Sequence, residues 1–427
     1  MKKESEGFDA KPTPNPRVLV IGGGAAGLLA AGRAAEGGAE VVVIERGPVL
    51  ARKLRISGKG RGNITNTAEM KEFIAAFGPN GKFLYGAFSR FSRDDLLQLL
   101  KRLGVATKIE RGGRVFPTSD KAEDVAAALE KWILRLGVTI KYNTRVKEIL
   151  VENGQAVGVN TYSGPIRADR VILATGGISY PKTGSTGDGY AMAAAVGHEV
   201  IPPRPSLSAL VAQEAWVKRL QGLNLRNVRA TLQLDGKKIA EEFGEMVFTH
   251  FGVSGPIILT LSRHAPEALK QGKVTLSINL KPALTEEQLD QRLVRDFIQK
   301  KHFANYLPDL LPRSLIPVFV ELTGMPGDTP VHRITAAQRK TTAALLRDFH
   351  LTIREARPVD EAIVTAGGVS IREIDPRTME SKLVKGLHFA GEVIDIDAIT
   401  GGYNLQAAFS TGWVAGDSAV QSLELRV

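Results

Sequence analysis

The sequence predicts an α/β protein in which both ends of the chain contribute strands to one parallel sheet, while the middle of the chain is an insertion. Three stretches support this: a strand, a glycine-rich turn and a helix over residues 17–45, a buried strand over 171–174, and a strand and helix beginning near 387 and 402. At 427 residues the chain is too long for one compact core, so we expect two or three domains.

The first stretch carries the glycine spacing that opens a dinucleotide-binding fold. Gly22, Gly24 and Gly27 follow the apolar strand RVLVI and begin an alanine-rich helix at Ala25 and Ala26. In this pattern the first glycine allows the tight turn, the second lets the backbone approach a pyrophosphate, and the third packs the helix on the strand. The helix N-terminus offers unpaired N–H groups to the phosphates. The sequence therefore predicts a Rossmann-like nucleotide site.

Two further strands are predicted to end at the same site. The strand EVVVIE ends at Glu45, beside Arg46, and a carboxylate about twenty residues after the glycines accepts hydrogen bonds from a ribose. The apolar strand ending at Ala174 continues into Thr175 and Gly176, a turn common in flavoproteins of the two-dinucleotide-binding type. Here the chain is expected to return to the nucleotide.

The C-terminal stretch predicts which dinucleotide is bound. A strand over Leu387–Ala390 ends in Gly391 and Glu392, an acid-rich loop reaches Asp397, and a small-residue helix opens at Gly402. In FAD enzymes of this architecture, a strand that ends in glycine and an acid places the carboxylate on the ribityl chain, and the next helix points at the isoalloxazine. This order of elements predicts FAD rather than NAD.

The middle of the chain, from about 200 to 360, changes in composition. Val228–Leu234 and Val274–Leu280 are predicted strands near a turn at Asp235-Gly236. Thr285 and Gln288 form a capping-box pattern at the start of a predicted helix. We therefore expect an inserted domain of mixed strand and helix content.

Composition excludes several mechanisms. The chain has no cysteine, which removes dithiol relays, thiolate nucleophiles and cysteine-ligated metals. Its seven histidines are scattered without an i, i+4 pair, so no metal site is predicted. No segment has the length and continuity of a membrane span and no secretory signal is present, so we expect a cytoplasmic protein with a disordered tail over residues 1–16.

The net charge is +11, which is compatible either with a solvated basic surface or with a polyanionic substrate. Basic residues concentrate between Arg46 and Arg61 and recur at Lys108, Arg111, Arg114, Lys218, Arg219, Arg226, Arg229, Lys237 and Lys238. No RNA-binding motif of the RRM or KH kind accompanies them.

Five segments together resemble one family, the flavoproteins that include a bile-acid enone reductase and ribosomal RNA dihydrouridine synthase (the BaiN/RdsA family). They are VIGGGAAGLLAA, KLRISGKGRGNITN, FTHFGVSGP, VTAGGVSIREIDPRTMESKLVKGLHFAGEVID and TGGYNLQAAFSTG. The resemblance implies a Rossmann-like FAD-binding domain with an inserted β-barrel and a small helical subdomain. The implied boundaries are 17–200 and 361–427 for the FAD domain, 201–284 and 341–360 for the barrel, and 285–340 for the helical subdomain.

The same resemblance implies the residues that hold FAD. The pyrophosphate and adenosine ribose would contact Gly22, Gly24, Ala25, Ala26, Gly27, Glu45 and Arg46; the loop over Lys53, Ser57, Gly58, Gly60 and Asn63 would line the pyrophosphate and flavin; Val146 would flank the adenine; Ala174, Thr175, Gly176, Gly391, Glu392 and Asp397 would complete the site; and Gly402, Asn404 and Leu405 would face the flavin N1–C2 carbonyl edge.

One motif departs from the family pattern S-G-G-G-R-C-N. Lys59 stands where the family has a glycine, and Gly62 stands at the usual cysteine position. A mechanism that uses this thiol to protonate substrate or gate the flavin cannot operate here. We favour the interpretation that the family's thiol only packs.

Reducing a conjugated C=C bond requires hydride at the β-carbon and a proton at the α-carbon. The candidate general acids are His250, within the Thr249–Gly252 signature, and Tyr403 beside the flavin helix, with Tyr180 and Tyr190 as further tyrosines near glycine-rich turns. Because no second glycine-rich βαβ unit is present, NAD(P)H is expected to dock transiently and to leave before substrate arrives, which implies ping-pong turnover.

Three functions stay open at this level. The leading hypothesis is an FAD-dependent, NAD(P)H-linked reductase that converts a uracil of 23S rRNA to dihydrouridine, with ribosomal RNA or a ribosome precursor as partner. The alternatives are a small-molecule, steroid-like enone reductase and a non-enzymatic flavin-binding redox factor that contacts RNA. RNA affinity that falls steeply with salt would favour the first, and rapid reoxidation of the flavin by an enone the second. The sequence leaves the oligomeric state open.

Overall fold

The computed structural model of the protein describes residues 15–424, with side chains described through residue 421. Residues 1–14 of the predicted tail lie outside the described residues. In chain order the strands are β1 (Arg17–Ile21), β2 (Glu40–Ile44), β3 (Thr65–Asn66), β4 (Thr107–Glu110), β5 (Arg114–Pro117), β6 (Thr139–Lys141), β7 (Val146–Glu152), β8 (Gln155–Thr161), β9 (Gly164–Arg167), β10 (Arg170–Leu173), β11 (Val200–Ser206), β12 (Leu210–Ala212), β13 (Asn224–Leu234), β14 (Lys237–Phe248), β15 (Gly252–Ser254), β16 (Val274–Asn279), β17 (Phe349–Ala356), β18 (Val364–Val369) and β19 (Leu387–Phe389).

The α-helices over the same residues are α1 (Ala25–Glu36), α2 (Arg52–Arg55), α3 (Met70–Ala75), α4 (Tyr85–Arg90), α5 (Arg93–Arg102), α6 (Ala122–Arg135), α7 (Asp188–Ala195), α8 (Pro256–Leu261), α9 (Ala265–Ala268), α10 (Glu286–Asp296), α11 (Phe303–Tyr306), α12 (Ile316–Thr323), α13 (Ala336–Arg347) and α14 (Tyr403–Glu424). No helix within residues 15–424 has both the length and the apolar composition needed to cross a membrane.

The chain divides into two compact units. Within the described residues, unit 1 comprises 15–177, Lys182–Pro202 and 367–424, and unit 2 comprises Ile178–Pro181 and Pro203–Ala366. Unit 1 is therefore built from both ends of the chain, as the sequence predicts for the sheet-containing part.

Unit 1 is centred on a five-stranded sheet of order β19-β10-β1-β2-β6, in which every neighbouring pair is parallel. Its three central strands, β10, β1 and β2, are short, mainly apolar runs that are buried on both faces, the pattern expected when helices cover a parallel sheet. Helices α1 and α14 pack unusually close together. A Cβ added at Gly412 would lie 2.2 Å from the Ala26 carbonyl oxygen, and one at Gly416 would lie 2.3 Å from that of Ala30. Small residues in α14 thus set its position on the first helix of the nucleotide fold.

Unit 2 contains a closed barrel of order β12-β15-β14-β13-β16-β17, together with the helices α8 to α13. The predicted strands Val228–Leu234 and Val274–Leu280 correspond to β13 and β16, which pair antiparallel. The capping box is also present: the Thr285 hydroxyl accepts from the Gln288 N–H at 3.2 Å, and the Gln288 side chain accepts from the Thr285 N–H at 2.9 Å. The structure confirms the predicted fold class, an α/β Rossmann-type fold with a β-barrel and a helical part.

The longest strand of the barrel was not predicted from the sequence. The turn at Asp235-Gly236 leads from β13 directly into β14, and these two strands form a long antiparallel hairpin. The segment Lys237–Phe248 is rich in Lys and Glu, residues with weak strand propensity, so its strand conformation depends on pairing with β13.

Candidate active site

The predicted cofactor residues all belong to unit 1, and most of them follow the carboxyl ends of its parallel strands. Gly22, Gly24, Ala25, Ala26 and Gly27 follow β1; Glu45, Arg46, Lys53, Ser57, Gly58, Gly60 and Asn63 follow β2; Ala174, Thr175 and Gly176 follow β10; Gly391, Glu392 and Asp397 follow β19; Val146 begins β7; and Gly402, Asn404 and Leu405 lie at the start of α14.

Backbone hydrogen bonds hold these strand ends side by side. The Gly22 N–H donates to the Ile44 carbonyl at 2.9 Å, and the Ala174 N–H donates to the Ile21 carbonyl at 2.9 Å. Strand β1 lies between β10 and β2. The chain therefore continues from β1 to a neighbour on one side, and β10 returns on its other side, so the strand order reverses at β1. In open α/β sheets, ligands bind in the crevice outside the carboxyl ends of the strands at such a point.

The three motif glycines have different surroundings. Gly22 has a φ of +101°, and a Cβ there would lie 2.6 Å from the Ala174 carbonyl oxygen. A Cβ at Gly27 would lie 1.9 Å from the Gly22 carbonyl oxygen. A Cβ at Gly24, the N-cap of α1, would have no atom within 4 Å. Gly22 and Gly27 are therefore required by protein packing, whereas Gly24 borders open space beside the helix N-terminus.

Glu45 is tied to the backbone on both sides of the nucleotide loop. One carboxylate oxygen accepts from the Gly23 N–H at 2.9 Å, and the other accepts from the Gly47 N–H at 2.8 Å. The residue is 9% exposed. A carboxylate has about four acceptor positions, so these two bonds orient Glu45 and leave acceptors for a ribose.

An Arg–Asp–Arg cluster lies next to this acid. Asp188 contacts Arg46 at 3.2 Å and receives two hydrogen bonds from Arg145 at 2.9 and 3.0 Å. Burial acts to raise the pKa of Asp188, but hydrogen bonds from Arg145 and Thr186 outweigh it and hold that pKa below its usual value. The carboxylate shares its charge between both arginines and fixes the start of β7, where Val146 is buried.

Lys53 and Glu392, both predicted cofactor residues, form an ion pair of 2.6 Å. Their side chains are 27% and 19% exposed, so water screens this pair less than a surface pair. The adjoining Gly391 N–H donates to the Thr411 hydroxyl at 2.9 Å. The pair thus joins the segment after β2 to the loop after β19, which is itself anchored on α14.

The loop over residues 57–63 has an unusual backbone. Gly58 and Lys59 both lie in the left-handed region, with φ values of +57° and +60°. The Ser57 hydroxyl is buried and has no hydrogen-bond partner among the described residues. With its amide oriented to satisfy both neighbours, Asn63 donates to the Thr65 carbonyl at 3.2 Å and accepts from the Gly402 N–H at 3.1 Å. This loop is therefore bonded to the start of α14.

The N-terminus of α14 is held by side chains that flank it. The Asn404 side chain accepts from the Ala398 N–H at 2.8 Å and donates to the Ala398 carbonyl at 3.1 Å, which folds the loop containing Asp397 against the helix. A Cβ at Gly402 would lie 2.3 Å from the Thr65 carbonyl oxygen. As in any helix, the first N–H groups, including those of Asn404 and Leu405, have no intrahelical acceptor.

The turn after β10 contains a second buried hydroxyl. The Thr175 side-chain oxygen has no hydrogen-bond partner among the described residues. A Cβ at Gly189 would lie 2.0 Å from it, so the first turn of α7 packs directly against this turn. Gly176 follows with a φ of +73°.

The candidate proton donors are divided between the units. Tyr403, in unit 1, is partly exposed, and its ring lies edge-on to Phe73 at a centroid distance of 4.7 Å. Burial and the nearby Glu72 carboxylate raise the pKa of Tyr403. Tyr190, also in unit 1, donates from its hydroxyl to the Glu392 carbonyl at 3.4 Å.

The other two candidates belong to unit 2. His250 is exposed in the loop after β14, with its ring 4.9 Å from that of Phe251, and Tyr180 is exposed with a φ of +52°. Among the side chains described, those of residues 15–421, no three His, Asp or Glu groups come together in a way that could hold a metal ion.

Sequence reasoning missed several residues that shape this site. Asn66 donates to the carbonyl oxygens of Gly112 and Gly401, both at 3.0 Å, and is 3% exposed. Arg145 shares Asp188 with Arg46. Neither residue belongs to a glycine motif. Asn66 could have been noticed because it is a short polar residue soon after the glycine-rich loop, and such residues often bond to nearby backbone groups.

Comparison with known proteins assigns the family. The HI0933-like protein Rossmann domain matches residues 16–418. The chain is 33% identical over 412 residues to the 3-dehydro-bile acid delta(4,6)-reductase of Clostridium scindens, covering 95% of this chain and 99% of that protein. It is 30% identical over 401 residues to the ribosomal RNA dihydrouridine synthase of Haemophilus influenzae, covering 92% and 96%.

A solved structure shares the fold. The open conformation of a flavocytochrome c3 fumarate reductase matches with a TM-score of 0.53 and 19% identity, over 98% of this chain and 82% of that chain. At this identity the likeness concerns the fold alone. The family match spans almost the whole sequence, so the chain belongs to the HI0933-like family of flavoprotein-type oxidoreductases.

Proposed function

We propose that this enzyme binds FAD at the carboxyl edge of unit 1 and uses NAD(P)H to reduce a C=C bond conjugated to a carbonyl, with a uracil of 23S rRNA as substrate. The observation that carries the proposal is near-full-length similarity to two relatives, one named a delta(4,6)-reductase and the other a dihydrouridine synthase. Both names describe the addition of hydrogen to a carbon–carbon double bond. An rRNA substrate would place the enzyme in the cytoplasm.

The residues of unit 1 fit FAD on three counts. Gly24 borders open space at the N-terminus of α1, where a pyrophosphate gains N–H donors and the positive end of the helix dipole. The buried hydroxyls of Ser57 and Thr175 have no partner among the described residues, and a buried polar group is costly unless it is hydrogen-bonded. Glu45 is oriented by two backbone bonds with acceptors to spare.

The roles proposed for these residues follow from their chemistry. The pyrophosphate would be held by Gly22, Gly24, Ala25, Ala26 and Gly27. The adenosine ribose would contact Glu45 and Arg46, and the adenine would contact Val146. The ribityl and phosphate chain would contact Ala174, Thr175, Gly176, Lys53, Gly391, Glu392 and Asp397, and the flavin would contact Ser57, Gly58, Gly60, Asn63, Gly402, Asn404 and Leu405. When bound, FAD supplies two-electron chemistry, accepting hydride from NAD(P)H and delivering it to the substrate.

The protein contributes electrostatics and a proton. Negative charge near the N-terminus of α14 is stabilised by about 0.3–1 kcal/mol, and by about 2 kcal/mol when the site is partly buried. Tyr403, the first residue of α14, is the first candidate donor of a proton to the substrate α-carbon. Burial and the Glu72 carboxylate raise the pKa of its hydroxyl, which makes it a weaker acid than a free tyrosine. His250 is the second candidate donor.

The choice of RNA as substrate is supported by charge. The chain carries a net charge of +11, and sequence-independent phosphate contacts supply much of the affinity of proteins for nucleic acids. A small enone, with one carboxylate at most, would gain much less from this excess of positive charge than a polyanion would.

A second candidate function is the reduction of a small-molecule enone. The specific observation in its favour is that the chain is 33% identical to the bile-acid reductase and 30% identical to the dihydrouridine synthase of Haemophilus influenzae. In this case the net charge would serve only solubility and the phosphates of the cofactors.

The test of the proposed function is to delete the gene and map dihydrouridine along 23S rRNA. We expect one dihydrouridine to disappear, and to return when the wild-type gene is restored but not when a Gly24→Ala gene is. An unchanged modification map would eliminate the rRNA substrate. Anaerobic mixing of the NADH- or NADPH-reduced protein with a steroid 4-en-3-one then tests the second candidate, because rapid return of the oxidised flavin spectrum would support it.

A further inference from the structure

Three cations lie on segments of unit 1 that contact the candidate active site. Lys59 and Arg111 are exposed and Arg114 is partly exposed. None of the three forms an ion pair with a carboxylate in the part of the chain that the structure describes. We call Lys59, Arg111 and Arg114 the basic rim.

The basic rim is connected to the candidate flavin site by short contacts. The Asn66 amide donates to the Gly112 carbonyl, in the turn between Arg111 and Arg114, and to the Gly401 carbonyl, next to the start of α14, at 3.0 Å in both cases. A single side chain, that of Asn66, therefore bridges the turn that bears both arginines and the N-terminus of α14.

The third cation lies on the adjacent loop. A Cβ at Gly58 would lie 3.7 Å from the ring of Phe116, and the Arg114 guanidinium lies 5.8 Å from the centre of the same ring. Lys59 follows Gly58 directly, so both segments of the basic rim pack around Phe116. Lys59 also has left-handed backbone angles, φ +60° and ψ +39°, which favour glycine, so the lysine is held there against local preference.

Two acids on neighbouring segments, Glu110 and Asp120, are already paired with other cations. Glu110 and Asp120 are both bound by Arg61, at 2.5 and 2.6 Å, and Asp120 also by Lys108 at 2.6 Å. Hydrogen bonds from Lys108 and Arg61 hold the pKa of Asp120 below its usual value, and those from Arg61 do the same for Glu110. These two carboxylates thus compensate Arg61 and Lys108, and the charge of the basic rim stays uncompensated.

We propose that the basic rim is the substrate-phosphate site of this enzyme: Lys59 and Arg111 bind backbone phosphates of an RNA strand and so present one of its bases at the flavin edge. This inference rests on the proposed function. It goes further by naming the surface, the basic rim, that would make the enzyme prefer a polyanionic substrate over a small enone with the same reacting bond. Lys and Arg on a rim contribute mainly salt-dependent, sequence-independent phosphate contacts.

The test uses the full-length flavoprotein and the double variant Lys59→Gly, Arg111→Gln. Glycine suits the left-handed backbone at position 59, and neither native side chain makes an ion pair that folding would lose. The matched control is Lys131→Gln, Arg135→Gln, which removes the same charges from exposed positions of α6. Binding of a fluorescent uracil-containing RNA oligonucleotide is measured by anisotropy at several salt concentrations, beside dihydrouridine formation in unmodified 23S rRNA.

We expect the double variant to bind the oligonucleotide at least tenfold more weakly, with the slope of log K against log salt shallower by about 1.4, the value for two lost single-strand phosphate contacts. Its KM for rRNA should rise, while turnover of a steroid 4-en-3-one changes far less. The control should behave as wild type.

Two results would overturn the inference, and they are distinguishable. If the double variant retains wild-type affinity and salt slope while wild type still forms dihydrouridine, the basic rim is not the phosphate site and the proposed function stands. If wild type neither binds the oligonucleotide at low salt nor modifies rRNA, both the inference and the proposed substrate are wrong.

Discussion

The Asn66 amide lies 3.0 Å from the carbonyl oxygen of Gly401, joining residues 335 positions apart. The same amide donates to the Gly112 carbonyl, and its oxygen accepts from the Ala68 N–H at 2.9 Å. Asn66 therefore satisfies three backbone groups at the point where the glycine-rich loop, the β4–β5 turn and the start of α14 meet. Together with Asn63 and Asn404, this buried side chain holds the N-terminus of the helix proposed to face the flavin.

Replacing Asn66 with alanine should weaken this junction. The substitution leaves three backbone groups without their side-chain hydrogen-bond partner. Because an unsatisfied buried polar group is costly, we expect the free energy of unfolding to fall by about 2 kcal/mol. We also expect weaker retention of FAD, because the start of α14 is no longer held. Urea unfolding and cofactor release on dilution measure the two effects. Asn160→Ala, which removes an exposed hydrogen bond to Glu148, is the control and should change neither.

Two glycines of the nucleotide loop should respond differently to alanine. At Gly24 the added methyl enters open space on an extended backbone, φ −80° and ψ −171°, so the apoprotein should fold with an unchanged Tm but fail to bind FAD. At Gly27 the methyl would lie 1.9 Å from a backbone oxygen, so stability should also fall. Thermal unfolding of the cofactor-free variants separates the two, and a destabilised Gly24→Ala apoprotein would contradict the assignment of a ligand-facing role.

Acid should destabilise the protein through His388. This residue is fully buried in β19, and burial together with the nearby Arg170 guanidinium lowers its pKa from 6.5 to about 3. Between pH 6.5 and 3 the unfolded chain binds a proton that the folded chain does not, so stability falls as the pH falls, by about 1.4 kcal/mol per pH unit. The loss begins below pH 6.5 and ends near pH 3.

The variant His388→Leu should lack this component. Between pH 7 and pH 5 wild type should lose about 2 kcal/mol more unfolding free energy than the variant, as measured by urea unfolding at each pH. His332→Gln, at an exposed position, should follow the wild-type profile. Parallel profiles for wild type and His388→Leu would show that the buried imidazole does not titrate in this range.

Tyr403→Phe removes one hydroxyl and keeps the ring that packs on Phe73. If this hydroxyl protonates the substrate, turnover should fall by about 10²–10⁴-fold, while reduction of the flavin by NAD(P)H is unchanged because that step needs no proton donor for substrate. Stopped-flow absorbance resolves the two half-reactions. His250→Gln, tested in parallel, identifies the donor if Tyr403→Phe retains full turnover.

Features that depend on local pattern could be predicted from the residues alone. The apolar runs of β1 and β10 and the spacing of Gly22, Gly24 and Gly27 identify a parallel nucleotide-binding sheet, because each requirement concerns residues close in the chain. The capping box at Thr285 and Gln288 was confirmed for the same reason. The strand β14 was missed, since its conformation comes from pairing with β13 and from closure of the barrel rather than from its own composition.

Patterns among residues close in the chain are enough to predict the fold class and the resemblance to the family, and they indicate which loops to expect at a dinucleotide. How those loops are joined could be seen only in the folded chain: Lys53 pairs with Glu392, Asn63 and Asn66 bond to Gly402 and Gly401, and two arginines share Asp188. The physical reason is that local pattern reports on backbone conformation and burial, whereas these contacts join residues far apart in the chain and exist only once the sheet has brought its strand ends together.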